Sequence, residues 1–423
     1  MDLLADLEFR GQLYQQTDAD GLREHLTTPR KVYAGFDPTK DSLTIGNLVQ
    51  IILLRRFQLA GHTPYAVMGG GTGMIGDPSG KEAERQILTP EQVAKNVAGI
   101  RVCFERLLDF TGPNAAVMVD NNDWLGKLGF IEALRDIGKH FSVNMMIQKD
   151  SVRERLNSRD QGISYTEFSY MLLQAYDFSY LLQHHGVTVQ SSGSDQWGNI
   201  VAGVDLIRRT QQKQAFGLTT PLVTKADGGK FGKTETGAIW LAAERTSPYA
   251  FYQFWVNSDD ADVPKFLRTY TFFSHEEILK LEAEHQKSPG ARTAHKALAQ
   301  HMTELLHGPE GLAQAQKTTE ALFSGNVAEL SQAAIGDLFG SAPSVSLGRD
   351  KLAGEGYLAV DLLVEGGVVK SKREAREFLG NGAILINGRT PGVDARVTAE
   401  WLLHDEVLLI RRGRKVWHVA RFG

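Results

Sequence analysis

Residues 31–48 read KVYAGFDPTKDSLTIGNL. The first six residues are mostly apolar and include β-branched and aromatic side chains, which predicts a strand. Asp37-Pro38-Thr39 is typical of a turn. Apolar residues then recur at intervals of three and four over residues 45–59, and Gly61 follows, which predicts an amphipathic helix. A strand that leads into a helix through a polar loop presents backbone N–H groups to an anion, so the stretch predicts an anion-binding site.

This stretch differs from two common phosphate-binding loops. It lacks the Gly-Lys-Thr/Ser ending of a Walker A loop. It offers only Gly35 and Gly46 for the glycine positions of a dinucleotide-binding fingerprint. Ser42 or Thr44 is placed to cap the predicted helix. The sequence therefore predicts an anion site that belongs to neither class.

The length and composition predict a multidomain protein of the reducing cytosol. The chain has 423 residues, enough for about three domains, and 42% of them are hydrophobic. A single cysteine, Cys103, excludes an intrachain disulfide and, without a His/Cys cluster, disfavours a structural metal site. Residues 1–20 lack the apolar core of a secretory signal, and no apolar run reaches the length of a membrane span. The expected location is cytoplasmic, with no membrane partner.

The charge is distributed unevenly along the chain. The formal net charge is −4, which taken alone argues against a nucleic-acid partner. The last 73 residues, however, carry 12 Lys and Arg against 9 Asp and Glu, whereas the first 350 residues carry 34 against 41. The basic balance of the C-terminal part favours RNA contact there.

The periodicity of the sequence divides the chain into segments. Helix and strand patterns alternate from residue 31 to about residue 224, which predicts a Rossmann-type parallel sheet with helices on both faces. The pattern from residue 248 to about residue 322 is helical only. We predict an α/β domain at 1–225, a loop and helical domain at 226–323, a linker at 324–350 and a small α+β domain at 351–423.

A glycine-rich loop follows the second predicted strand. Residues 69–81 read GGGTGMIGDPSGK, and glycines of this density let the backbone approach a ligand closely. A flexible surface loop would explain the composition equally well. The position after a strand favours a ligand site, because ligands bind at the carboxyl ends of parallel strands.

One predicted helix, residues 165–183, carries a polar stripe. Glu167, Tyr170, Gln174 and Asp177 are spaced three, four and three residues apart, so they share one helix face. The other residues of this helix are largely Met, Leu, Phe and Tyr. A buried polar site and an exposed stripe are equally consistent with the residues alone.

Two further loops contain residues suited to nucleotide binding. Residues 193–199 read GSDQWGN between a predicted strand and helix, where Asp195 can accept hydrogen bonds from ribose hydroxyls, cap the helix, or do both. Residues 227–234 read DGGKFGKT and place Lys230 and Lys233 three positions apart. Lysines in glycine-rich loops are usually solvated, so this signal is weak by itself.

Over nearly the whole chain these motifs resemble the class I aminoacyl-tRNA synthetases, in the form of the bacterial tyrosyl-tRNA synthetases. Residues 31–48 are similar to the first signature of that family, and Lys-Phe-Gly-Lys-Thr is similar to the second. The family usually carries His-Ile-Gly-His or His-Leu-Gly-His where this chain has Thr44-Ile45-Gly46-Asn47. Thr and Asn can donate hydrogen bonds there but cannot carry a positive charge.

The resemblance implies an activity and its partners. L-tyrosine and ATP would give tyrosyl-adenylate and pyrophosphate, and the tyrosyl group would pass to the 3′-terminal adenosine of tRNA(Tyr). Mg²⁺ would accompany ATP, without a dedicated protein metal site or a tightly bound prosthetic group. The family is homodimeric, its helical domain helps to bind the anticodon stem, and its C-terminal domain binds RNA.

The resemblance also implies roles for individual residues. Asp177 and Tyr33 would hold the phenolic hydroxyl of tyrosine, and the full tyrosine set is Tyr33, Asp77, Tyr170, Gln174, Asp177 and Gln196. The residues implied for ATP are Asp37, Thr39, Gly46, Gly193, Asp195 and Lys233. Those implied for catalysis, by stabilising negative charge rather than by acid, base or nucleophile chemistry, are Thr44, Asn47, Lys81, Arg85, Lys230 and Lys233.

The C-terminal domain contains a basic helix start. Lys372, Arg373 and Arg376 cluster there, and the Asn-Gly-Arg sequence that ends at Arg389 follows a glycine-bounded strand. The pattern resembles a small RNA-binding fold that ribosomal and tRNA-acting proteins share. We favour phosphate contact by these side chains over a merely solvated basic face.

Two alternative functions use the same fold. An enzyme for tryptophan is disfavoured by Tyr33 together with Asp177, because an indole offers a single donor and no hydroxyl. An RNA-binding protein that has lost catalysis is favoured only by Thr44 and Asn47. The four cations Lys81, Arg85, Lys230 and Lys233 argue against it, since they contribute little to folding.

Overall fold

The computed structural model describes most of the chain. The described residues are 2–79, 88–149, 152–153, 156, 162–226, 228–229, 231–234, 237–324, 326–340, 342–413 and 416–423. They form two compact units, one of residues 1–246 and 254–306 and the other of residues 247–253 and 307–423.

The first unit begins with an α/β region. Its elements are α1 (Leu3–Phe9), β1 (Gln15–Gln16), α2 (Ala19–His25), β2 (Lys31–Phe36), α3 (Ile45–Leu59), β3 (Thr63–Met68), α4 (Pro90–Glu105), β4 (Val117–Asp120), α5 (Asn122–Leu125), α6 (Phe130–Glu132), α7 (Val143–Ile147), α8 (Tyr165–His185), β5 (Val189–Gly193), α9 (Trp197–Gln211) and β6 (Phe216–Thr220). A hairpin of β7 (Lys233–Thr234) and β8 (Gly237–Ala238) follows. Helices α10 (Pro248–Val256), α11 (Val263–Tyr270), α12 (His275–Lys287) and α13 (Thr293–Ser324) come next, and α10 and α13 contribute residues to both units.

The main sheet has the order β1-β6-β5-β2-β3-β4. Strands β2 to β6 are parallel, and β1 is antiparallel to β6. The predicted parallel sheet is therefore confirmed. Because β3 lies on one side of β2 and β5 on the other, the strand order reverses beside β2. The carboxyl ends of strands at such a reversal form the crevice in which α/β folds bind ligands.

The first signature folds as predicted, and the structure identifies its cap. Thr44 precedes α3, and Oδ1 of Asn47 accepts hydrogen bonds from the Thr44 backbone N–H at 3.1 Å and from its hydroxyl at 2.9 Å. Ser42, the other predicted cap, is buried and donates its hydroxyl to the Leu43 carbonyl. The two residues that depart from the family signature thus bond to each other at the start of the helix.

A buried arginine connects α3 to the helical region of the first unit. Arg56 donates to the carbonyl oxygens of Thr269 and Thr271, at 3.3 and 2.8 Å, just where α11 ends. Arg10 of the N-terminal segment donates to the Thr271 and Phe273 carbonyls, at 3.1 and 2.7 Å. The last carbonyls of a helix have no partner within it, so these guanidinium groups satisfy them and attach α11 to α3.

The second unit contains the C-terminal α+β domain. Its elements after α13 are α14 (Gln332–Phe339), β9 (Ser344–Leu347), β10 (Tyr357–Leu358), α15 (Ala359–Glu365), α16 (Lys372–Gly380), β11 (Ile384–Ile386), β12 (Arg396–Val397), β13 (Val407–Arg412) and β14 (Val416–Phe422). Four strands form a sheet of order β11-β13-β14-β9, in which β9 is parallel to β14.

The segment predicted as a linker, residues 324–350, contains ordered elements of this unit. Ile335 and Phe339 of α14 are buried in a cluster with Leu409 and Val419. Ile335 and Phe339 are among the few apolar residues of a stretch rich in Ser, Gly and Ala. The sequence pattern therefore did not indicate that a helix is buried there. Elsewhere, the described residues include no helix that is both long enough and apolar enough to cross a bilayer.

Candidate active site

A cavity of about 330 Å³ opens at the carboxyl ends of β2, β3 and β5, beside the strand-order reversal. All six residues predicted for tyrosine line it: Tyr33, Asp77, Tyr170, Gln174, Asp177 and Gln196. Four of those predicted for ATP do so as well: Asp37, Gly46, Gly193 and Asp195. Helix α8 therefore turns Tyr170, Gln174 and Asp177 of its polar stripe towards the cavity, whereas Glu167 is buried and does not line it.

The carboxylate of Asp177 lines the cavity and is buried from solvent. Asp177 accepts hydrogen bonds from Asn121 Nδ2 at 2.9 Å and from Trp124 Nε1 at 2.7 Å. Burial raises the pKa of Asp177 to about 7, although these two donors act to lower it, and the charge of Asp37 raises it further. The carboxylate retains lone pairs for a third donor.

Tyr33 borders the same cavity and is buried in the core. Its hydroxyl has no hydrogen-bond partner among the residues that the structure describes. Burial and the charge of Asp177 raise the pKa of Tyr33, so the hydroxyl stays protonated and able to donate or accept. An unpaired buried hydroxyl is unfavourable, so the pair of Tyr33 and Asp177 is suited to a ligand that brings its own hydroxyl.

The middle of the cavity is a network of hydrogen bonds around Asp37. The hydroxyl of Tyr170 donates to Asp37 Oδ2 at 3.1 Å, and that of Thr72 donates to Asp37 Oδ1 at 2.9 Å. Asn121 Nδ2 also donates to the Thr72 hydroxyl at 3.0 Å. Tyr170, predicted for tyrosine, and Asp37, predicted for ATP, are thus directly bonded, so the two predicted sets form one continuous site.

A second network surrounds Gln196. Its Nε2 donates to Asp77 Oδ2 at 2.6 Å and to Asp195 Oδ2 at 3.1 Å. Asn199 Nδ2 donates to Gln174 Oε1 at 3.0 Å and to Gln196 Oε1 at 3.1 Å. The carboxylates of this part of the cavity suit a ligand that carries an ammonium group or several hydroxyl donors.

The start of α3 borders the cavity through Gly46 and Asn47. Because Oδ1 of Asn47 is used by the Thr44 cap, the side chain presents its Nδ2 donor for a ligand. Thr44 and Thr39 do not line the cavity, and Thr39 is exposed. Of the first three N–H groups of α3, that of Ile45 donates to the Ile239 carbonyl and that of Asn47 to the Thr44 carbonyl. The donors that remain for the predicted anion site are therefore the Gly46 N–H and the Asn47 side-chain amide.

The second signature lies against the start of α3. Ile239 donates its N–H to the Gly232 carbonyl, and its own carbonyl accepts from the Ile45 N–H, each at 3.0 Å. The predicted residues Lys81, Arg85 and Lys230 lie outside the described residues. For Lys233 the structure gives the backbone, in β7, and not the side chain.

Sequence reasoning missed several residues of the site. Asn121 and Trp124 bind Asp177, and Gln190 of β5 is buried beside the cavity with no partner for its Oε1 among the described residues. The polar run that begins at Asp120, the last residue of β4, was a usable signal, because polar residues at a strand's carboxyl end often reach a site.

Two further groups are not part of the cavity lining. The predicted RNA-binding side chains Lys372, Arg373 and Arg376 are exposed together on the first turns of α16, where Lys372 pairs with Asp361 at 2.7 Å. A group of possible metal ligands, Asp260, His285 and His295, also occurs among the described residues. His285 Nε2 hydrogen-bonds to the Asp260 carbonyl and His295 Nε2 to the Ser258 carbonyl, and His295 Nε2 also lies 3.1 Å from Asp260 Oδ1.

Comparison with known proteins gives the family context. The profile of the family described as tRNA synthetases class I (W and Y) matches residues 25–324, and that of the Tyrosine--tRNA ligase SYY-like C-terminal domain matches residues 335–420. Tyrosine--tRNA ligase 1 of Bacillus anthracis is 53% identical over 426 residues, which cover 100% of both chains. The tyrosine--tRNA ligase of Roseiflexus castenholzii is 49% identical over 99% of both.

Solved structures give the same picture. The C-terminally truncated mitochondrial tyrosyl-tRNA synthetase of Aspergillus nidulans superimposes with a TM-score of 0.69 at 29% identity, covering 76% of this chain and 94% of that one. The corresponding protein of Coccidioides posadasii gives a TM-score of 0.65 at 31% identity, with 75% and 91% covered.

Proposed function

This chain belongs to the class I tRNA synthetases of the tryptophan and tyrosine group, and we propose that its reaction is the ligation of L-tyrosine to tRNA(Tyr). Tyrosine and ATP give tyrosyl-adenylate and pyrophosphate. The tyrosyl group is then transferred to the 3′-terminal adenosine of the tRNA. The relatives that are 53% identical over the full length carry the name of this activity, which supports the choice of tyrosine.

The observation that carries the choice of amino acid is the pair of Tyr33 and Asp177. A bound phenol would donate to the Asp177 carboxylate and accept from the Tyr33 hydroxyl, which satisfies both buried groups. Phenylalanine would leave both without that partner, at a cost of about 1–3 kcal/mol per group. The indole of tryptophan has one donor and no acceptor, so it would leave Tyr33 unpaired.

The remaining tyrosine contacts follow from the network around Gln196. The ammonium of the amino acid fits among Asp77, Tyr170 and Gln174, whose oxygen atoms line the cavity. Gln196, bonded to Asp77, is placed to donate to the carboxylate of the substrate. These contacts would direct the tyrosine carboxylate towards the start of α3.

ATP is assigned to the part of the cavity that α3 borders. The Gly46 N–H at this helix start and the Asn47 amide suit a polyphosphate oxygen, and Asp195 suits the ribose hydroxyls. The residues proposed to complete the ATP site are Asp37, Thr39, Gly46 and Gly193. Thr44 acts chiefly by fixing Asn47, to which it is bonded.

Adenylate formation requires charge stabilisation rather than proton transfer. A tyrosine carboxylate oxygen attacks the α-phosphorus of ATP, and the bond from that phosphorus to the pyrophosphate oxygen breaks. The cations proposed to stabilise the pyrophosphate charge are Lys81, Arg85, Lys230 and Lys233. Mg²⁺ arriving with ATP would neutralise phosphate charge.

The parts of the chain outside the catalytic domain are proposed to bind tRNA. Residues 226–323 would contact the anticodon stem, and residues 351–423 would bind RNA through the exposed cations of α16. Those cations are Lys372, Arg373 and Arg376. The cytoplasm, where the reducing environment suits the single cysteine, is the proposed location.

We also propose that the chain forms a homodimer through residues 130–147. Phe130, Ile131 and Val143 are 66%, 72% and 57% exposed, an unusual concentration of apolar surface for a monomer. A second copy would cover them. Ile131→Asp should then halve the mass measured by light scattering, whereas Val102→Asp, a matched change at a 62% exposed position on α4, should leave it unchanged. Equal masses for both variants would count against this interface.

The experiment that tests the function is tyrosine-dependent exchange of pyrophosphate into ATP, with phenylalanine and tryptophan in parallel. Exchange with tyrosine alone is expected. Exchange with tryptophan would identify the indole-specific alternative. A folded protein that exchanges with none of the three would favour the alternative of an RNA-binding protein without catalysis, to which Thr44 and Asn47 point.

A further inference from the structure

The second signature contains an aromatic residue with contacts of its own. The ring of Phe231 lies 5.6 and 6.1 Å, between centroids, from those of Phe254 and Trp255 on α10. It lies 4.9 and 5.5 Å from those of Phe266 and Tyr270 on α11. We call these four residues the aromatic pocket. Ring pairs at such distances are favourable, so Phe231 attaches the signature to two helices.

The aromatic pocket is part of a packed core. Trp255 and Tyr270 are fully buried, and Phe266 is nearly so. Within the pocket the Trp255 ring is 5.0 Å from that of Tyr270 and 5.8 Å from that of Phe266. Phe231 itself is half-buried, as is Phe254. Contacts among the pocket residues therefore hold the pocket in place, and the Phe231 ring packs against it.

The residue after Phe231 touches the first signature. Gly232 has φ +78°, and a Cβ added to it would overlap the Cγ2 atom of Ile45. Only glycine can combine this backbone conformation with so close an approach. Packing of Phe231 in the aromatic pocket therefore coincides with contact between the loop and the start of α3.

The wall of the pocket is attached to the same helix. Tyr270 is the last residue of α11, and the carbonyls on either side of it, those of Thr269 and Thr271, accept from Arg56 of α3. Helix α3, the end of α11 and the loop at Phe231 therefore form a closed set of contacts. Truncating the Phe231 side chain would remove the contacts between the loop and the aromatic pocket. The hydrogen bonds from Arg56 of α3 to the end of α11 would remain.

We propose that Phe231 is a positioning residue for adenylate formation: its packing in the aromatic pocket fixes the second signature against the start of α3. This role rests on the proposed function. Phe231 does not line the cavity, so it acts through its neighbours in sequence, Lys230 and Lys233, by fixing the backbone that carries them. Preorganisation of charged groups contributes to rate rather than to tyrosine binding.

The test compares Phe231→Ala with Phe231→Leu in the full-length protein. Truncation to alanine removes most of the apolar contact, so kcat for tyrosine-dependent pyrophosphate exchange should fall roughly 10- to 100-fold. The Kd for tyrosine, measured without ATP by equilibrium dialysis, should stay within about twofold. Leucine retains an apolar body and should restore kcat to within about fivefold of the original protein. Tyr14→Ala, at a position 62% exposed, is the matched control and should change neither value.

A second readout follows the loop directly. Trypsin can cleave after Lys225, Lys230 and Lys233, and Phe231→Ala should increase the rate of cleavage in this segment several-fold, while Phe231→Leu should not. The proposal is overturned if kcat and cleavage are unchanged in Phe231→Ala, or if its tyrosine Kd rises as much as kcat falls. A parent protein without tyrosine-dependent exchange would instead refute the proposed function, and the two failures are therefore distinguishable.

Discussion

The raised pKa of Asp177 makes tyrosine affinity depend on pH. In the structure the carboxyl group has a pKa of about 7, because it is buried. A phenol that donates to the carboxylate favours the charged form and lowers this pKa in the complex. Tyrosine binding should therefore release a proton at acidic pH, and affinity should be full above pH 7 and fall as the pH drops below 7.

The size of the effect follows from the two pKa values. The difference between about 7 and the ordinary value of 3.8 corresponds to about 4 kcal/mol at 1.36 kcal/mol per pKa unit. If the complex regains the ordinary value, the Kd for tyrosine should rise roughly 50-fold between pH 7 and pH 5, and about 0.9 proton should be released on binding at pH 6. The phenol of the ligand, with a pKa of about 10, does not titrate in this range.

Calorimetry in buffers of different ionisation enthalpy measures this proton release directly. Asp177→Asn keeps the shape of the side chain but cannot titrate, so its tyrosine Kd, though higher, should not vary between pH 5 and pH 7. Asp195→Asn, which removes a carboxylate from another part of the cavity, should retain the pH dependence. A wild-type protein that releases no proton at pH 6, or an Asp177→Asn variant that releases as much, would refute the reasoning.

Three further predictions concern other parts of the molecule. Tyr33→Phe removes the donor for the phenolic oxygen, so it should raise the KM for tyrosine roughly 10-fold and increase exchange with phenylalanine relative to tyrosine; unchanged selectivity would argue against the assigned contact. Asn47→Ala removes the acceptor of the Thr44 cap, so it should destabilise α3 by about 1 kcal/mol in urea unfolding and raise the KM for ATP; a normal KM would exclude a phosphate contact. Alanine at Lys372, Arg373 and Arg376 should leave pyrophosphate exchange unchanged but weaken tRNA binding and reduce its salt dependence, whereas equal salt slopes would show that these cations do not contact phosphate.

The sequence predicted those parts of the site that adjacent residues define. Strand β2, the turn at Asp37 and helix α3 follow from local patterns, and α3 has the predicted bounds. The polar stripe of α8 was visible from its spacing, but the spacing did not decide between a buried polar site and an exposed stripe. The structure shows that Tyr170, Gln174 and Asp177 of this stripe line a cavity. Proximity in the chain was sufficient for these predictions.

The contacts that the sequence did not predict join residues far apart in the chain. Asn121 meets Asp177 across 56 positions because β4 lies at the edge of the sheet next to β3, and periodicity contains no information on strand order. Helix α14, which lies within the linker predicted at 324–350, was missed for a related reason. The few apolar residues of α14 are buried only because the much later strands β13 and β14 cover them. The aromatic pocket around Phe231 is likewise assembled from separate helices.

The cap at the start of α3 has a consequence for how this signature can change. One oxygen of Asn47 serves both polar groups of Thr44, so the two positions behave as a single inherited unit. Replacing Asn47 with the histidine that the family usually carries would remove the acceptor of both bonds, whereas replacing Thr44 would remove only the hydroxyl bond, because the backbone N–H of residue 44 remains. The hydroxyl bond is therefore lost with whichever replacement comes first. The fitness effects of the two changes should be strongly non-additive. A lineage could reach the double-histidine signature only through an intermediate that lacks the hydroxyl bond of this cap, which gives the Thr and Asn pair a kinetic persistence independent of any advantage it confers.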